Sequence, residues 1–175
     1  MNEFALIQKY FKKLTYNNPS ALDLNDDVFF DKKNGVVVSS DTYVEGIHFL
    51  NFNNPDLVIK KIVRSSISDL YCKGVKPKFI FIGASGNSLS FSKKNMKLVY
   101  RSLRQEQKKY KFRLSGGDTT KSKKTVFTIT SLGYSKKIVK RNKCKNNDDI
   151  YITGNLGDSY LGLSILRKKS FLKNS

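Results

Sequence analysis

Apolar and polar positions follow two periods along this chain, and the switches between them mark its elements. Phe4, Ile7, Phe11 and Leu14 recur at helical spacing, with Lys9, Lys12 and Lys13 elsewhere on the wheel, so residues 3–14 predict an amphipathic helix. Asn17-Asn18-Pro19-Ser20 ends it. Val28-Phe29-Phe30 and Val36-Val37-Val38 flank Asn34-Gly35, the pattern of a hairpin. Asp26-Asp27 enters the first of these strands and Asp41 follows the second, so antiparallel pairing brings three carboxylates to one end.

Asn54 as cap and Pro55 as first residue open a second helix, whose buried side is Leu57, Ile59, Ile62, Val63, Ile67 and Leu70. It runs to about Lys73 and stops at Gly74. Asp69 falls in its last turns, where the helix dipole disfavours a carboxylate, so a nearby cation is expected. Residues 78–85 are a near-continuous apolar run, a central strand. Residues 92–110 predict another helix, capped by Ser92 or Ser90, with Met96, Val99, Tyr100 and Leu103 inward. Phe112 and Leu114 lead into a Gly-Gly-Asp turn. Residues 125–134 and 150–154 read as strands, and Asn155 to Ser159 caps a last helix carrying Leu161, Leu163, Ile165 and Leu166. The sum is an α+β fold, a mostly antiparallel sheet with helices packed on one face. The uncovered face would be buried by a homodimer formed sheet to sheet.

Composition narrows the function classes. At 175 residues the chain fits one domain, or one domain plus the start of another. No apolar run approaches the ~18 residues that span a bilayer, so no membrane partner is expected. Residues 1–14 mix acids and bases and contain no apolar leader core. Two distant cysteines, Cys72 and Cys144, fit reduced thiols in a cytoplasmic protein. The formal charge is +19, from 33 basic and 14 acidic residues. The lysines are dispersed and no basic helix alternates with stacking aromatics, so this is a compositional bias and nucleic acid is not an expected partner.

The acids carry more information. Eleven of the fourteen are Asp, and several sit among small residues: Ser40-Asp41-Thr42, Ser68-Asp69, Gly117-Asp118-Thr119 and Gly157-Asp158-Ser159. In Leu114-Ser115-Gly116-Gly117-Asp118-Thr119-Thr120, paired glycines allow close backbone approach to a phosphate, and Asp118 offers a hard oxygen to Mg²⁺. The same string also reads as a tight turn whose Asp caps its own backbone. His48 is the only histidine, seven residues after Asp41. A lone His between apolar residues is a core or surface residue on one reading and a functional group on the other.

The order of these motifs resembles the thiamine-monophosphate kinase family. The resemblance rests on Asn25-Asp26-Asp27, on Ser39-Ser40-Asp41-Thr42 with Gly46 and His48, and on Ser68-Asp69-Leu70 with Gly74. It continues through Gly116-Gly117-Asp118-Thr119-Thr120 to Thr153-Gly154 with Gly157-Asp158-Ser159. It covers Phe4 to about Leu166. The family belongs to the superfamily of aminoimidazole ribonucleotide synthetase, selenophosphate synthetase and the hydrogenase-maturation dehydratase, which shares a PurM-like N-terminal ATP-binding domain. The resemblance implies transfer of the γ-phosphoryl group of ATP to thiamine monophosphate, with Mg²⁺ as cofactor. Asp27, Ser39, Ser40, Asp41, Asp69 and Asp118 match metal positions. Gly117, Asp118, Arg141 and Tyr100 match nucleotide contacts, and His48 matches a position at the thiamine phosphate.

Two departures are local. Asn25 stands where the family has Gly before the Asp pair, and Asn146-Asn147 replace a Pro-Gly after Arg141; Asn tolerates the same left-handed backbone. The third departure is larger. The resemblance implies an ATP- and Mg-binding domain over 1–150 and the start of a second α/β domain over 151–175, and such a chain alone is expected to catalyse little. Competing expectations are another ATP-binding activity of the superfamily and a non-catalytic basic nucleic-acid-binding remnant. The kinase reading requires that Asp27, Asp41, Asp69 and Asp118 converge in space.

Overall fold

The computed structural model describes residues 2–142 and 144–167. Its contacts divide the chain between Asn142 and Lys143, ahead of residue 150, and each unit is described by itself.

In the larger unit the expected N-terminal helix is a helical segment of mixed pitch. It comprises α1 (Glu3–Leu6), a π turn (Ile7–Phe11) and a 3₁₀ turn (Lys12–Thr15). No residue in it is buried, and Phe4, Phe11 and Leu14 are exposed. Among the described residues nothing buries its apolar stripe enough to hold a regular pitch. A second 3₁₀ segment, Pro19–Leu24, leads to β1 (Phe29–Asp31) and β2 (Val36–Val44). Then come α2 (Pro55–Cys72), β3 (Pro77–Gly86), α3 (Lys93–Tyr110), β4 (Arg113–Lys121) and β5 (Val126–Tyr134).

The five strands form one sheet in the order β1-β2-β5-β3-β4, antiparallel except for β3–β4. The core lies on one face, where Ile59, Ile62, Val63 and Ile67 of α2 pack on Ile80, Phe127 and Ile129. Each such fully buried side chain contributes about 1.5–3 kcal/mol. A smaller cluster of Val28, Phe30, Val37, Leu70 and Val75 seals the hairpin end. α3 packs against α2, and the bidentate bond of Arg64 to the buried Glu106, at 2.8 and 2.9 Å, ties the two helices. The helix-covered, mostly antiparallel α+β arrangement is the one expected from the sequence.

Four local expectations are corrected. β2 extends through Asp41 to Val44, because β5 supplies a ladder partner along its whole length after β1 has ended. The Gly-Gly-Asp stretch is strand rather than turn: β4 runs straight through it beside β3. Gly117 is required by packing, since a Cβ there would lie 1.9 Å from the Ile82 carbonyl oxygen. Tyr100 faces outward at 67% exposure, while Ser102 and Glu106 take the buried side of α3. In the smaller unit, residues 150–154 form no strand, because no described strand pairs with them; the helix that follows, α4, spans Asp158–Leu166.

Candidate functional site

The site forms where the C-terminal half of α2 passes under β2. Side chains alternate across a strand, so Ser39 and Asp41 face the helices while Ser40 faces away. The register fixes this: Ser39 lies opposite Ser131 and Asp41 opposite Ile129, both fully buried beneath α2. Ser66 of α2 meets Ser131 through a 2.9 Å hydroxyl–hydroxyl bond. One helical turn on, Asp69 accepts a 2.8 Å hydrogen bond from the Ser39 hydroxyl. Asp69 and Asp41 are thus brought together by one helix face and one strand face.

Asp26 and Asp27 reach the same place from the entry to β1. Lys73, one turn beyond Asp69 at the end of α2, sits 2.5 Å from Asp26 Oδ1 and 3.5 Å from Asp27 Oδ2. Its ammonium occupies the helix C-terminus, where the dipole favours a cation. The Lys73 and Asp26 side chains are only 4% and 6% exposed. Asp26 also accepts from the backbone N–H of Arg141 at 3.2 Å and from that of Asp27 at 2.8 Å. The Arg141 guanidinium donates to Asp27 at 2.5 Å. Lys73 pulls on Asp69 through its charge, as the helix end called for, while its ion pairs go to Asp26 and Asp27. The sequence signal for it was the Asp69–Lys73 spacing of four at a helix end.

The electrostatics set Asp26 apart from Asp41 and Asp69. Burial works against ionising Asp26, but Lys73 and the two backbone donors outweigh it and hold its pKa below the ordinary carboxylate value. Asp41 is pushed above that value by burial first and then by the neighbouring charge of Asp69, with Asp27 adding to it. Asp69 is pushed up by burial and by Asp27, against the Ser39 hydrogen bond and the pull of Lys73 and Arg141. Two carboxylates raised chiefly by burial have a charged form that a bound cation would favour.

Tyr43 donates to Asp41 at 3.2 Å, and burial raises its own pKa. Its ring meets His48 edge to face at 5.9 Å. His48 is exposed; its Nδ1 accepts from the Val44 N–H at 3.0 Å, which leaves Nε2 as the donor of the neutral ring. Lys61 donates to the His48 carbonyl. Glu45 pins the same loop by accepting from Phe52 and Thr125 N–H groups at 3.3 and 2.9 Å.

Asp118 is not in this cluster, so the convergence expected of Asp27, Asp41, Asp69 and Asp118 fails at Asp118. It pairs in register with Gly83, Gly83 with Thr128, and Thr128 with Thr42, three strand spacings that total about 14 Å. Residues in register share a face, so Asp118 lies on the side away from α2, beside Thr120 and Thr128. Ser40 shares that side and bonds Thr130 at 2.9 Å. Of the expected site residues, Asp27, Ser39, Asp41, Asp69, Arg141 and His48 gather at the α2 end of the sheet. Ser40, Gly117 and Asp118 lie on the opposite face or the β4 edge, and Tyr100 lies on the outer side of α3.

Among the described residues no group of three or more acidic, His or Cys side chains is close enough together to hold a single metal ion. Mg²⁺ is ordinarily held by one or two carboxylates, waters and substrate phosphates. Asp41 and Asp69, all-oxygen donors beside the Ser39 hydroxyl, fit that hard cation.

Residues 23–135 match the family described as AIR synthase related protein, N-terminal domain, and the chain belongs to that family. Its similarity to named proteins is narrower. It is 38% identical over 184 aligned positions to the thiamine-monophosphate kinase of Buchnera aphidicola subsp. Schizaphis graminum (strain Sg), covering 99% of this chain and 54% of the relative. It is 31% identical over 182 positions to the thiamine-monophosphate kinase of Bacillus subtilis (strain 168), covering 100% and 56%. The structure of AaThiL complexed with AMPPCP and TMP superposes with a TM-score of 0.83 at 25% identity, covering 97% of this chain and 53% of that one. The chain spans about half the length of the curated relatives it matches. Among the described residues no helix is long and apolar enough to cross a membrane.

The raised carboxyls define a pH signature. Between the unfolded value of 3.8 and the higher folded values of Asp41 and Asp69, the native state holds more protons than the unfolded chain, so cation-free stability falls as pH rises through that window. We expect Asp41→Asn to raise the melting temperature of the cation-free protein at pH 7 by a few degrees, and the gain to shrink towards pH 4. A gain independent of pH, or a loss at pH 7, would contradict the charge crowding.

Proposed function

We propose that the chain is the ATP- and Mg²⁺-binding N-terminal portion of a thiamine-monophosphate kinase, acting in the cytoplasm. The observation that carries this reading is the pairing of Asp41 on β2 with Asp69 on α2 beside the Ser39 hydroxyl, with Asp27 approaching from the entry to β1. The names of the relatives and the AMPPCP and TMP of the AaThiL complex agree with it.

Phosphoryl transfer between two anions needs charge neutralisation and alignment more than covalent chemistry. When bound, Mg²⁺ supplies the positive charge that clamps and orients phosphate oxygens. On this reading Asp41 and Asp69 hold the cation, and Ser39 fixes the Asp69 carboxylate through its hydroxyl. Lys73 keeps Asp26 ionised and lies 3.5 Å from Asp27. Arg141 contributes a guanidinium for a nucleotide phosphate. His48, set by Val44 through Nδ1, offers its Nε2–H to the acceptor phosphate. Gly117 lets β4 lie against the Ile82 backbone, and Asp118 and Ser40 add oxygen donors on the far face of the sheet. Tyr100, matched by resemblance alone, is the outlier of the set.

The far face is also where a second copy would pack. Phe81 and Leu114 are exposed there or at the β4 edge, and a homodimer through it would cover Asp118. Light scattering at micromolar concentration is expected to give the mass of two chains; a monomer mass would remove the dimer from the proposal. Asp41→Asn and Asp118→Asn are each expected to weaken Mg-ATP binding by calorimetry about ten-fold or more, the scale of a lost charged hydrogen bond, while unfolding stays cooperative. Parent-like affinity in Asp41→Asn would end the reading of the cluster as the cation site.

A further inference from the structure

Both carboxylate oxygens of Asp27 already face a cation. Oδ1 accepts from Arg141 at 2.5 Å and Oδ2 lies 3.5 Å from Lys73. A divalent ion arriving beside Asp27 brings a further positive charge against both of them, and the two are not equivalent in what holds them. Lys73 is 4% exposed and holds the nearly buried Asp26 at 2.5 Å, so its departure would strand a buried carboxylate. Its backbone is fixed as well: the N–H donates to the Leu70 carbonyl at 3.0 Å, and its own carbonyl accepts from Val139 at 3.2 Å. The Arg141 side chain is 55% exposed. Its backbone N–H is anchored on Asp26 at 3.2 Å independently of the guanidinium, and this gives the side chain a fixed pivot.

We propose that Arg141 is an exchangeable counter-ion of the acidic cluster. It holds Asp27 while no divalent cation is bound, and it gives up that carboxylate when one arrives. The inference rests on the reading of Asp41 and Asp69 as a cation site and adds, at the neighbouring Asp27, a residue that responds to the cation. A divalent ion at similar range has twice the Coulombic pull of a guanidinium on the same oxygen. The released guanidinium, with its fork of donors, is suited to an anionic phosphate carried in with the cation. Lys73 remains in place throughout as the fixed charge. Arg141 is in this account a positioning residue whose two anionic partners are used in turn.

The experiment is a Mn²⁺ titration of the 175-residue chain without nucleotide, with free Mn²⁺ read by electron paramagnetic resonance, beside a Mg-ATP titration by calorimetry. Arg141→Gln is expected to bind Mn²⁺ about three- to five-fold tighter, the size of an ion pair half open to water, and to bind Mg-ATP more weakly. Arg141→Lys should fall between parent and Arg141→Gln for Mn²⁺. A residue with only a structural role would move both ligands in the same direction. Unchanged or weaker Mn²⁺ binding in Arg141→Gln, with Asp41→Asn still weakening it, overturns the exchange and leaves the cation site standing. If Asp41→Asn leaves Mn²⁺ binding untouched, the cation site fails and the exchange fails with it. Thermal melts of each variant confirm that the readings come from folded protein.

Discussion

The structure turns on a charge balance at one end of a sheet. Asp26, Asp27, Asp41 and Asp69 come from three elements to the place where α2 ends, and Lys73 enters among them from the last turn of that helix. The acids could not share that space if all were ionised and unpaired, because like charges in a poorly hydrated pocket repel by several kcal/mol. The fold meets the cost unevenly. Asp26 is fully paired and kept acidic. Asp41 and Asp69 are left crowded and raised. The proposed function uses this imbalance: Asp26 is paired with a cation, whereas Asp41 and Asp69 are held by the hydroxyls of Tyr43 and Ser39.

The sheet divides the chemistry between its two faces. Ser39 and Asp41 point to α2, while Ser40 between them points with Asp118 to the far side. A short motif read as one ligand set is therefore two half-sets with the sheet between them. β4 carries its share through an extended glycine pair rather than a turn, and Gly117 is fixed there by contact with the Ile82 backbone. Glu45 plays a quieter part, tying the His48 loop to the start of β5 so that Tyr43 and His48 stay close to Asp41.

Much of this was legible beforehand. The helices over 55–72 and 93–110 and the strands of β3 and β5 follow from periodicity, Pro55, Gly74 and Ser92, all local signals. The approach of Asp26-Asp27 to Asp41 followed from one hairpin. What escaped depended on partners distant in sequence. The length of β2 is set by β5, which begins over eighty positions later. The Gly-Gly-Asp string looks like a turn until β3 is placed beside it. Tyr100 reads as inward by apolarity, yet Glu106, a charged residue, takes the buried side because Arg64 waits there. The face on which each ligand lies depends on register, and register is set by pairing that the sequence does not spell out.

The most direct measurement is anomalous diffraction from crystals of this chain soaked in Mn²⁺. The account predicts a peak on the helix-covered face, within coordination distance of the Asp41 and Asp69 carboxylates and beside the Ser39 hydroxyl. Mn²⁺ found only at Asp118 on the opposite face, with those two carboxylates unliganded, would contradict it.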